Sequence, residues 1–89
     1  MNLIYSDLLR DTGLTYPQYL VLVLLWQRDD RPVGDLAREL YLKYNTLTPL
    51  VKRLEAAGFV TRRRSETDER EVRVSLTAEG HALQESLLQ

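Results

Sequence analysis

The chain has 89 residues, of which 44% are hydrophobic and 28% are charged, and these proportions are typical of a small globular domain. It contains no cysteine, which excludes disulfides, thiolate metal sites and thiol nucleophiles from these residues. The longest apolar run, residues 19–26, is shorter than the roughly 20 residues of a membrane-spanning helix, and acidic residues precede it where a signal peptide carries basic ones. We therefore expect a cytoplasmic protein with no membrane partner.

The net charge of -1 provides no overall attraction for nucleic acid, so the positions of the basic residues decide that question. Seven of the twelve lysines and arginines lie in one quarter of the chain: Lys52, Arg53, Arg62, Arg63, Arg64, Arg70 and Arg73. Acidic residues are interleaved with them. The basic residues are concentrated in one region, which makes a local nucleic-acid site possible.

The spacing of apolar residues predicts a helix over residues 3–11 and a central helix over 16–28 that starts after Thr15. A short amphipathic helix is predicted over 33–40, opened by Pro32. A fourth helix is predicted over 44–57, with Gly58 at its C-terminal cap. Pro49 is compatible with this helix if it lies within or next to the first turn, where a missing N–H costs little.

Two β-rich runs flank a polar loop of hairpin length, which predicts a hairpin over residues 59–76. Thr77 is expected to cap a last helix that starts at residue 78. Two helices joined by a short turn and followed by a charged two-stranded wing are the winged helix-turn-helix plan. We therefore predict one domain over residues 1–89, mainly α with a small β-hairpin wing (α+β).

Several motifs resemble the MarR family of transcription regulators, in particular its organic hydroperoxide resistance regulators, the OhrR branch. They are LTYPQYL at 14–20, LTPLVKRLEAAGFVTRRR at 47–64, DER at 68–70 and VSLTAEG at 74–80. The match is collinear from about residue 5 to residue 83. The resemblance implies a transcription regulator, expected to be a repressor, rather than an enzyme, with no cofactor and no metal.

The same resemblance implies a homodimer that binds palindromic double-stranded DNA, associated with the nucleoid, with one recognition helix in each major-groove half-site. Relative to the family, the chain lacks the N-terminal helix that holds the reactive cysteine and most of the C-terminal dimerisation helices. We therefore expect a shortened form whose terminal apolar residues favour self-association.

The start of the fourth helix is the candidate reading site, because side chains near the start of a recognition helix reach base edges. The candidates are Tyr44, Asn45, Thr46, Thr48 and Pro49, with Lys52 and Arg53 for phosphates. The alternative is a solvated face of an amphipathic helix. The family usually has Asp-Ser-Gly where this chain has Lys43-Tyr44-Asn45, so the operator preference does not carry over.

The wing is the second candidate site. Arg70 matches the family arginine that can enter the minor groove, and Asp68 matches a carboxylate that can hold its guanidinium in a bidentate pair. Arg62 and Arg64 alternate on the preceding strand, within reach of flanking phosphates. The alternative is a hairpin whose mixed charges serve solubility.

Tyr5 and Tyr16 match the two tyrosines that hydrogen-bond the reactive cysteine in OhrR proteins, and with no cysteine here they mark at most a vestigial sensor pocket. We expect them to be core or pocket tyrosines. His81 stands without other metal ligands at the required spacing, which favours a surface or interface histidine.

Two other functions stay open. One is a ligand-responsive MarR-type regulator whose effector is a phenolic or aromatic-acid small molecule. The other is a winged helix that serves only protein contacts.

Overall fold

The computed structural model of the chain describes residues 13–87. In chain order these residues form α1 (Tyr16–Gln27), β1 (Arg31–Pro32), α2 (Val33–Glu39), α3 (Tyr44–Ala56), β2 (Val60–Arg64), β3 (Val72–Leu76) and α4 (Ala78–Leu87). This order confirms the predicted winged helix-turn-helix fold. The helix predicted over residues 3–11 lies outside the described residues.

Helix α1 begins where side chains satisfy its free backbone N–H groups. The Thr15 hydroxyl accepts the N–H of Gln18 at 3.4 Å, and the side-chain oxygen of Gln18 accepts the N–H of Thr15 at 2.9 Å. This reciprocal capping box, with Pro17 in the first turn, fixes the start of the helix. Helix α1 ends at Gln27, one residue before the predicted end.

The hydrophobic core lies between α1, the helix-turn-helix and the sheet. Its fully buried residues come from all of these elements and are Val21, Leu22, Leu25, Leu36, Leu47, Val51, Leu54, Val60 and Val74. Burial of one such side chain stabilises the folded state by about 1.5–3 kcal/mol. Within residues 13–87, no helix is long and apolar enough to cross a membrane.

Helices α2 and α3 form the helix-turn-helix, joined by a turn over residues 40–43. Helix α2 ends in a Schellman motif, in which the N–H groups of Tyr41 and Leu42 donate to the carbonyl oxygens of Arg38 and Ala37 at 3.2 and 2.9 Å. Tyr41 holds the left-handed position of this motif, with φ 56°. The turn therefore depends on a conformation that glycine adopts more easily than tyrosine.

Pro49 lies further into α3 than the sequence analysis allows. The helix begins at Tyr44, so Pro49 is its sixth residue and belongs to the second turn. The expectation that it lies where a missing N–H costs little is therefore wrong, because the carbonyl oxygen of Asn45 loses its usual helical donor. The Thr48 hydroxyl donates to the carbonyl oxygen of Tyr44 at 3.0 Å, so a side chain helps to hold this first part of the helix.

The end of α3 agrees with the prediction. Gly58 has φ 89°, its N–H donates to the carbonyl oxygen of Glu55 at 3.0 Å, and the N–H of Phe59 donates to that of Leu54 at 3.0 Å. This is a second Schellman motif, here with glycine at the left-handed position.

The wing belongs to a sheet that is larger than predicted. Strands β2 and β3 form the expected antiparallel hairpin, but β1 pairs with the other edge of β3, so the order within residues 13–87 is β1-β3-β2. Val74 lies opposite Arg62 on one side and Arg31 on the other. A two-residue strand that contains Pro32 is too short to produce an alternating pattern, which is why the sequence does not reveal it.

Helix α4 is fixed to the rest of the fold at its first turn. The Thr77 hydroxyl accepts the N–H of Gly80 at 3.1 Å, which confirms the predicted cap, and donates to the carbonyl oxygen of Gly58 at 2.6 Å. The indole N–H of Trp26 donates to the carbonyl oxygen of Gly80 at 2.9 Å. Gly80 is buried so closely that a Cβ there would overlap the carbonyl oxygen of Phe59.

We expect Gly80→Ala to destabilise the fold. The added Cβ would meet the Phe59 carbonyl and lie 3.0 Å from the Leu76 side chain, so α4 would have to shift. Overpacking of this kind costs about 1–3 kcal/mol, which lowers the thermal unfolding midpoint by several degrees in a domain of roughly this size.

Gly34→Ala is the matched control, because nothing lies within 4 Å of a Cβ at that position. Alanine in α2 is expected to leave the midpoint unchanged or raise it. Equal midpoints for the two variants in circular-dichroism melts would contradict the close approach at Gly80.

Candidate nucleic-acid interface

The first turns of α3 present polar side chains to solvent. Asn45, Thr46 and Pro49 are exposed, and Tyr44 is half-exposed. The opposite face of the helix is apolar and buried, and consists of Leu47, Val51 and Leu54. The predicted reading residues therefore lie on the accessible face, where they can meet a groove.

The remaining candidates on α3 fall into two groups. Thr48 is half-buried and its hydroxyl donates to the Tyr44 carbonyl, so in this arrangement the hydroxyl offers a partner only its acceptor lone pairs. Lys52 and Arg53 are exposed one turn further along, at the distance from the helix start where backbone phosphates rather than bases are expected.

Asp68 and Arg70 lie together in the loop between β2 and β3. One carboxylate oxygen of Asp68, Oδ1, accepts the backbone N–H of Arg70 at 3.0 Å and lies 3.9 Å from its Nε. The predicted bidentate pair is not formed, since the shortest ion-pair distance between the two side chains is 3.9 Å. Asp68 shapes the loop, and the Arg70 side chain is left 95% exposed.

Arg62 and Arg64 do not extend freely from β2. The Arg62 Nε donates to the carboxylate of Glu55 on α3 at 3.0 Å, and Arg62 is only 29% exposed. The Arg64 guanidinium donates to the carbonyl oxygen of Glu69 at 2.7 Å, across the wing loop. In the free protein, both cations stabilise the wing.

A cleft of about 540 Å³ lies between the helix-turn-helix and the wing. Tyr44, at the start of α3, and Arg70, in the wing loop, both line it. The arginines along its wall are Arg28, Arg38, Arg70 and Arg73, and the carboxylates are Asp35, Asp68 and Glu71. The structure thus brings residues from the two predicted sites to one concave surface.

The base of the wing is held by four residues that we call the wing-base network: Asp30, Arg63, Arg73 and Ser75. The Asp30 carboxylate accepts hydrogen bonds from Arg63 at 3.2 Å, Arg73 at 3.1 Å and Ser75 at 3.2 Å. Arg73 also donates to the Asp30 carbonyl at 2.6 Å. The hydrogen bond from Arg73 lowers the pKa of the Asp30 carboxyl, and Asp30 in turn raises the pKa of Arg73.

The sequence does not predict this network. Asp30 and Arg73 are 43 residues apart, and no local pattern connects positions at that separation. The available signal was the positive charge on the outward-facing positions of both strands, since Arg63 and Arg73 are cross-strand neighbours and like charges placed opposite each other need a counter-charge.

Asp29 connects the loop after α1 to the end of β3 and to α4. Its Oδ1 accepts the backbone N–H of Leu76 at 2.9 Å, at the end of β3. Its Oδ2 lies 3.5 Å from the Nε2 of His81, which is 58% exposed. His81 is therefore a surface residue, as predicted, and it contacts the loop that leaves α1.

Arg31 is a buried arginine that the sequence does not predict. Its side chain is 4% exposed, and it donates to Asp35 at 2.7 Å, to Glu39 at 3.3 Å and to the carbonyl oxygen of Leu24 at 3.2 Å. The hydrogen bond from Arg31 lowers the pKa of Asp35. A buried guanidinium with this many acceptors joins α1, β1 and α2.

The two candidate sensor tyrosines have different outcomes. Tyr5 lies outside the described residues. Tyr16 is 53% exposed and its ring stacks near Tyr19, with 6.4 Å between centroids. Of the two expected positions for Tyr16, the core position is wrong, because the first residue of α1 faces outward and Tyr19 takes the buried position; the pocket position stays a prediction.

The family described as transcriptional regulator SarA/Rot matches residues 3–87. The chain belongs to the SarA/Rot family of transcriptional regulators. It is also 49% identical over 81 residues to the organic hydroperoxide resistance transcriptional regulator of Bacillus subtilis (strain 168), which confirms the predicted resemblance to OhrR. That match includes 91% of this chain and 55% of the relative.

Two solved structures share the fold of this SarA/Rot family member. The structure of reduced AbfR, a Staphylococcus epidermidis protein, bound to DNA is 41% identical, with a TM-score of 0.89 over 96% of this chain and 61% of that one. A MarR transcriptional regulator from Methanosarcina mazei Go1 is 26% identical, with a TM-score of 0.88 over 96% and 61%. The chain spans about half to three-fifths of the length of these proteins. The Bacillus subtilis and Methanosarcina mazei proteins are both named as transcriptional regulators, in agreement with the expectation that the chain is not an enzyme.

We expect Asp30→Asn to lower the free energy of unfolding at neutral pH. We also expect that free energy to depend less on pH in the acidic range than it does in the wild type. The folded-state pKa of Asp30 is below its ordinary value of about 3.9. The ionised Asp30 carboxylate therefore stabilises the folded state at pH values above its ordinary pKa, and this stabilisation is lost as the pH falls through the lowered pKa. Because Asp30 is 44% exposed, water screens the interaction, and we expect a loss of about 1 kcal/mol at pH 7.

Urea unfolding at pH 7, 5, 4 and 3 measures this difference. Asparagine tolerates the φ of 57° at this position, so backbone strain does not enter the comparison. Glu85→Gln removes one carboxylate from an exposed position on α4 and is the charge-matched control. A stability difference between wild type and Asp30→Asn that stays constant down to pH 3 would rule out the assigned role of the carboxylate.

Proposed function

We propose that this chain is a sequence-specific double-stranded DNA-binding transcription regulator, with α3 in the major groove and the wing in the minor groove. The observation that carries the proposal is the cleft that Tyr44 and Arg70 share, because it directs the start of a recognition helix and a wing arginine to one surface. The AbfR structure that the chain resembles is bound to DNA, which supports the same partner here.

The distribution of charge supports this partner despite the net charge of -1. Arg28, Arg38 and Arg70, which line the cleft, have side chains that are 70%, 77% and 95% exposed. Among the carboxylates beside them, Asp35 accepts from the buried Arg31 at 2.7 Å and from Arg28 at 3.0 Å. Arg38 and Arg70 form only long ion pairs with described residues, of 3.8 and 3.9 Å, so their charges are available to phosphates, as DNA binding requires.

Each candidate residue has a distinct role in this proposal. Asn45 and Thr46 are placed to contact base edges, and Lys52 and Arg53 to contact phosphates. Thr48 and Pro49 contribute through their aliphatic surface, since the Thr48 hydroxyl is bonded to the helix backbone. A thymine methyl group is the natural partner for such a surface.

In the wing, Arg70 is the residue proposed to enter the minor groove, because its guanidinium is exposed and Asp68 orients its backbone. Arg64 supports the wing loop. Arg62, paired with Glu55, holds the wing against the end of α3 and is proposed to reach a flanking phosphate from there.

We further propose that the chain acts at the nucleoid as a homodimer on a palindromic operator, as the family resemblance implies, and that it represses transcription. Selection of bound sequences from random DNA tests DNA binding and dimerisation together. Enrichment of an inverted repeat with half-sites about one helical turn apart is the expected result. Failure to enrich any sequence, together with binding to a protein partner that does not depend on salt, would replace this proposal with a protein-contact function.

On α3 we expect Asn45→Ala to reduce discrimination at particular base pairs by about 1–3 kcal/mol, because a base-edge contact is lost. Lys52→Ala should weaken binding to all sequences alike, because phosphates are the same in every sequence. Fluorescence anisotropy with selected and scrambled duplexes separates these effects.

Gln27→Ala, which shortens an exposed side chain at the end of α1, is the control for loss of a polar side chain elsewhere. If Asn45→Ala and Lys52→Ala both lose the same affinity on selected and scrambled DNA, α3 is not the reading helix.

In the wing we expect Arg70→Ala to weaken DNA binding without lowering the thermal unfolding midpoint, because the side chain is almost fully exposed. The slope of log affinity against log salt should fall by about one unit, since one phosphate-neutralising charge is lost. The loss should be greatest with A·T-rich flanks, where the minor groove is narrow and most negative.

Arg70→Lys keeps the charge but not the planar guanidinium, so it should retain the salt slope and lose part of the preference for A·T-rich flanks. Asp68→Asn should give a milder loss than Arg70→Ala, because the charge remains. Unchanged affinity of Arg70→Ala at every salt concentration would exclude the wing from the interface.

A further inference from the structure

Tyr41 has an aromatic side chain that the fold does not use. The exposed large apolar side chains within residues 13–87 are those of Tyr16, Tyr41 and Tyr44, and Tyr41 is the most exposed of them at 96%. Its backbone N–H bonds to Arg38, but no hydrogen bond, ion pair or ring contact joins its side chain to another described residue. An aromatic ring in water contributes nothing to the core.

The backbone conformation at Tyr41 is unfavourable for a tyrosine. Its φ of 56° is left-handed, a conformation in which a Cβ is crowded and glycine is favoured. The equivalent position in the Schellman motif at the end of α3 is held by Gly58. The other non-glycine residue with positive φ among the described residues is Asp30, whose side chain forms the centre of the wing-base network. A side chain that occupies a strained position and makes no contact within the described fold is best explained by contact with a binding partner.

The position of Tyr41 indicates what it can contact. It lies in the turn between α2 and α3, three residues before Tyr44, where α3 begins. Arg38, with a side chain 77% exposed, and the exposed Lys43 lie on either side of it in sequence. When the start of a recognition helix enters the major groove, the turn before it comes next to the sugar-phosphate backbone at the groove edge.

We propose that Tyr41 contacts the DNA backbone, with its phenolic hydroxyl donating a hydrogen bond to a phosphate at the edge of the groove that α3 enters. This inference rests on the proposed function, and adds a residue to the interface that the family motifs do not include. A phenol is a neutral donor, so the contact strengthens binding to every sequence and replaces no counterion.

The test compares Tyr41→Phe and Tyr41→Gly with the wild-type chain, by fluorescence anisotropy with selected and scrambled duplexes at several salt concentrations. Tyr41→Phe removes only the hydroxyl and should weaken binding about three- to tenfold on both duplexes, as expected for one hydrogen bond. The salt slope should not change, whereas that of Lys52→Ala should fall. Gln27→Ala, which shortens an exposed polar side chain at the end of α1, is the control and should bind as wild type.

Tyr41→Gly adds a result in the opposite direction. It should raise the thermal unfolding midpoint by a few degrees, because the left-handed strain is relieved, while it weakens DNA binding at least as much as Tyr41→Phe. If Tyr41→Gly is more stable and binds DNA more weakly, the Tyr41 side chain contributes to DNA binding and not to the stability of the fold.

The outcomes separate the two proposals. If Lys52→Ala weakens binding and both Tyr41 variants bind as wild type, the phosphate contact is overturned and the DNA-binding function stands. A loss confined to the selected duplex also overturns it, because a phosphate contact is independent of sequence. If the wild-type chain binds neither duplex, the proposed function and the Tyr41 contact fail together.

Discussion

The position of the wing depends on the hydrogen bonds that the Asp30 carboxylate accepts. This carboxylate lies where the chain leaves α1, and it accepts hydrogen bonds from Arg63 on β2 and from Arg73 and Ser75 on β3. Backbone pairing with β1 is limited to two residues, so side chains carry much of the connection between the hairpin and the rest of the fold. A DNA surface assembled from α3 and the wing needs a fixed angle between them, and the Asp30 carboxylate joins both strands to the loop after α1 while the Arg62–Glu55 pair joins β2 to α3.

Two pairs of arginines among the described residues have different uses. Arg31 and Arg73 are shielded and satisfied by carboxylates within the fold. Arg38 and Arg70 are largely exposed and have only long ion pairs, of 3.8 and 3.9 Å. The carboxylates that pair with Arg31 and Arg73 are therefore used at structural sites, and the guanidinium groups of Arg38 and Arg70 remain available. Local cations of this kind can bind a polyanion although the total charge of the chain is slightly negative.

The features that the sequence predicts are those encoded locally. Thr15, Gly58 and Thr77 mark helix ends because each acts on backbone groups only a few residues away, and periodic apolar residues reveal the buried face of α3. The wing-base network was not predicted, because an arginine on an outward strand position has the same pattern whether it meets water or Asp30. At the candidate site the exposed residues of α3 and Arg70 lie as expected. The partner of Arg62 was missed, since its pairing with Glu55 arises only when β2 folds back onto α3.

The junction between α3 and α4 has a mechanical consequence. Thr77 bonds to the carbonyl oxygens of both Gly58 and Phe59, at 2.6 and 3.0 Å, and Gly80 packs against Phe59 without space for a methyl group. These are the residues that end α3. A tilt of α4 would therefore strain the Schellman turn that ends α3, so a movement of α4 is coupled to the C-terminal end of the helix proposed to read DNA.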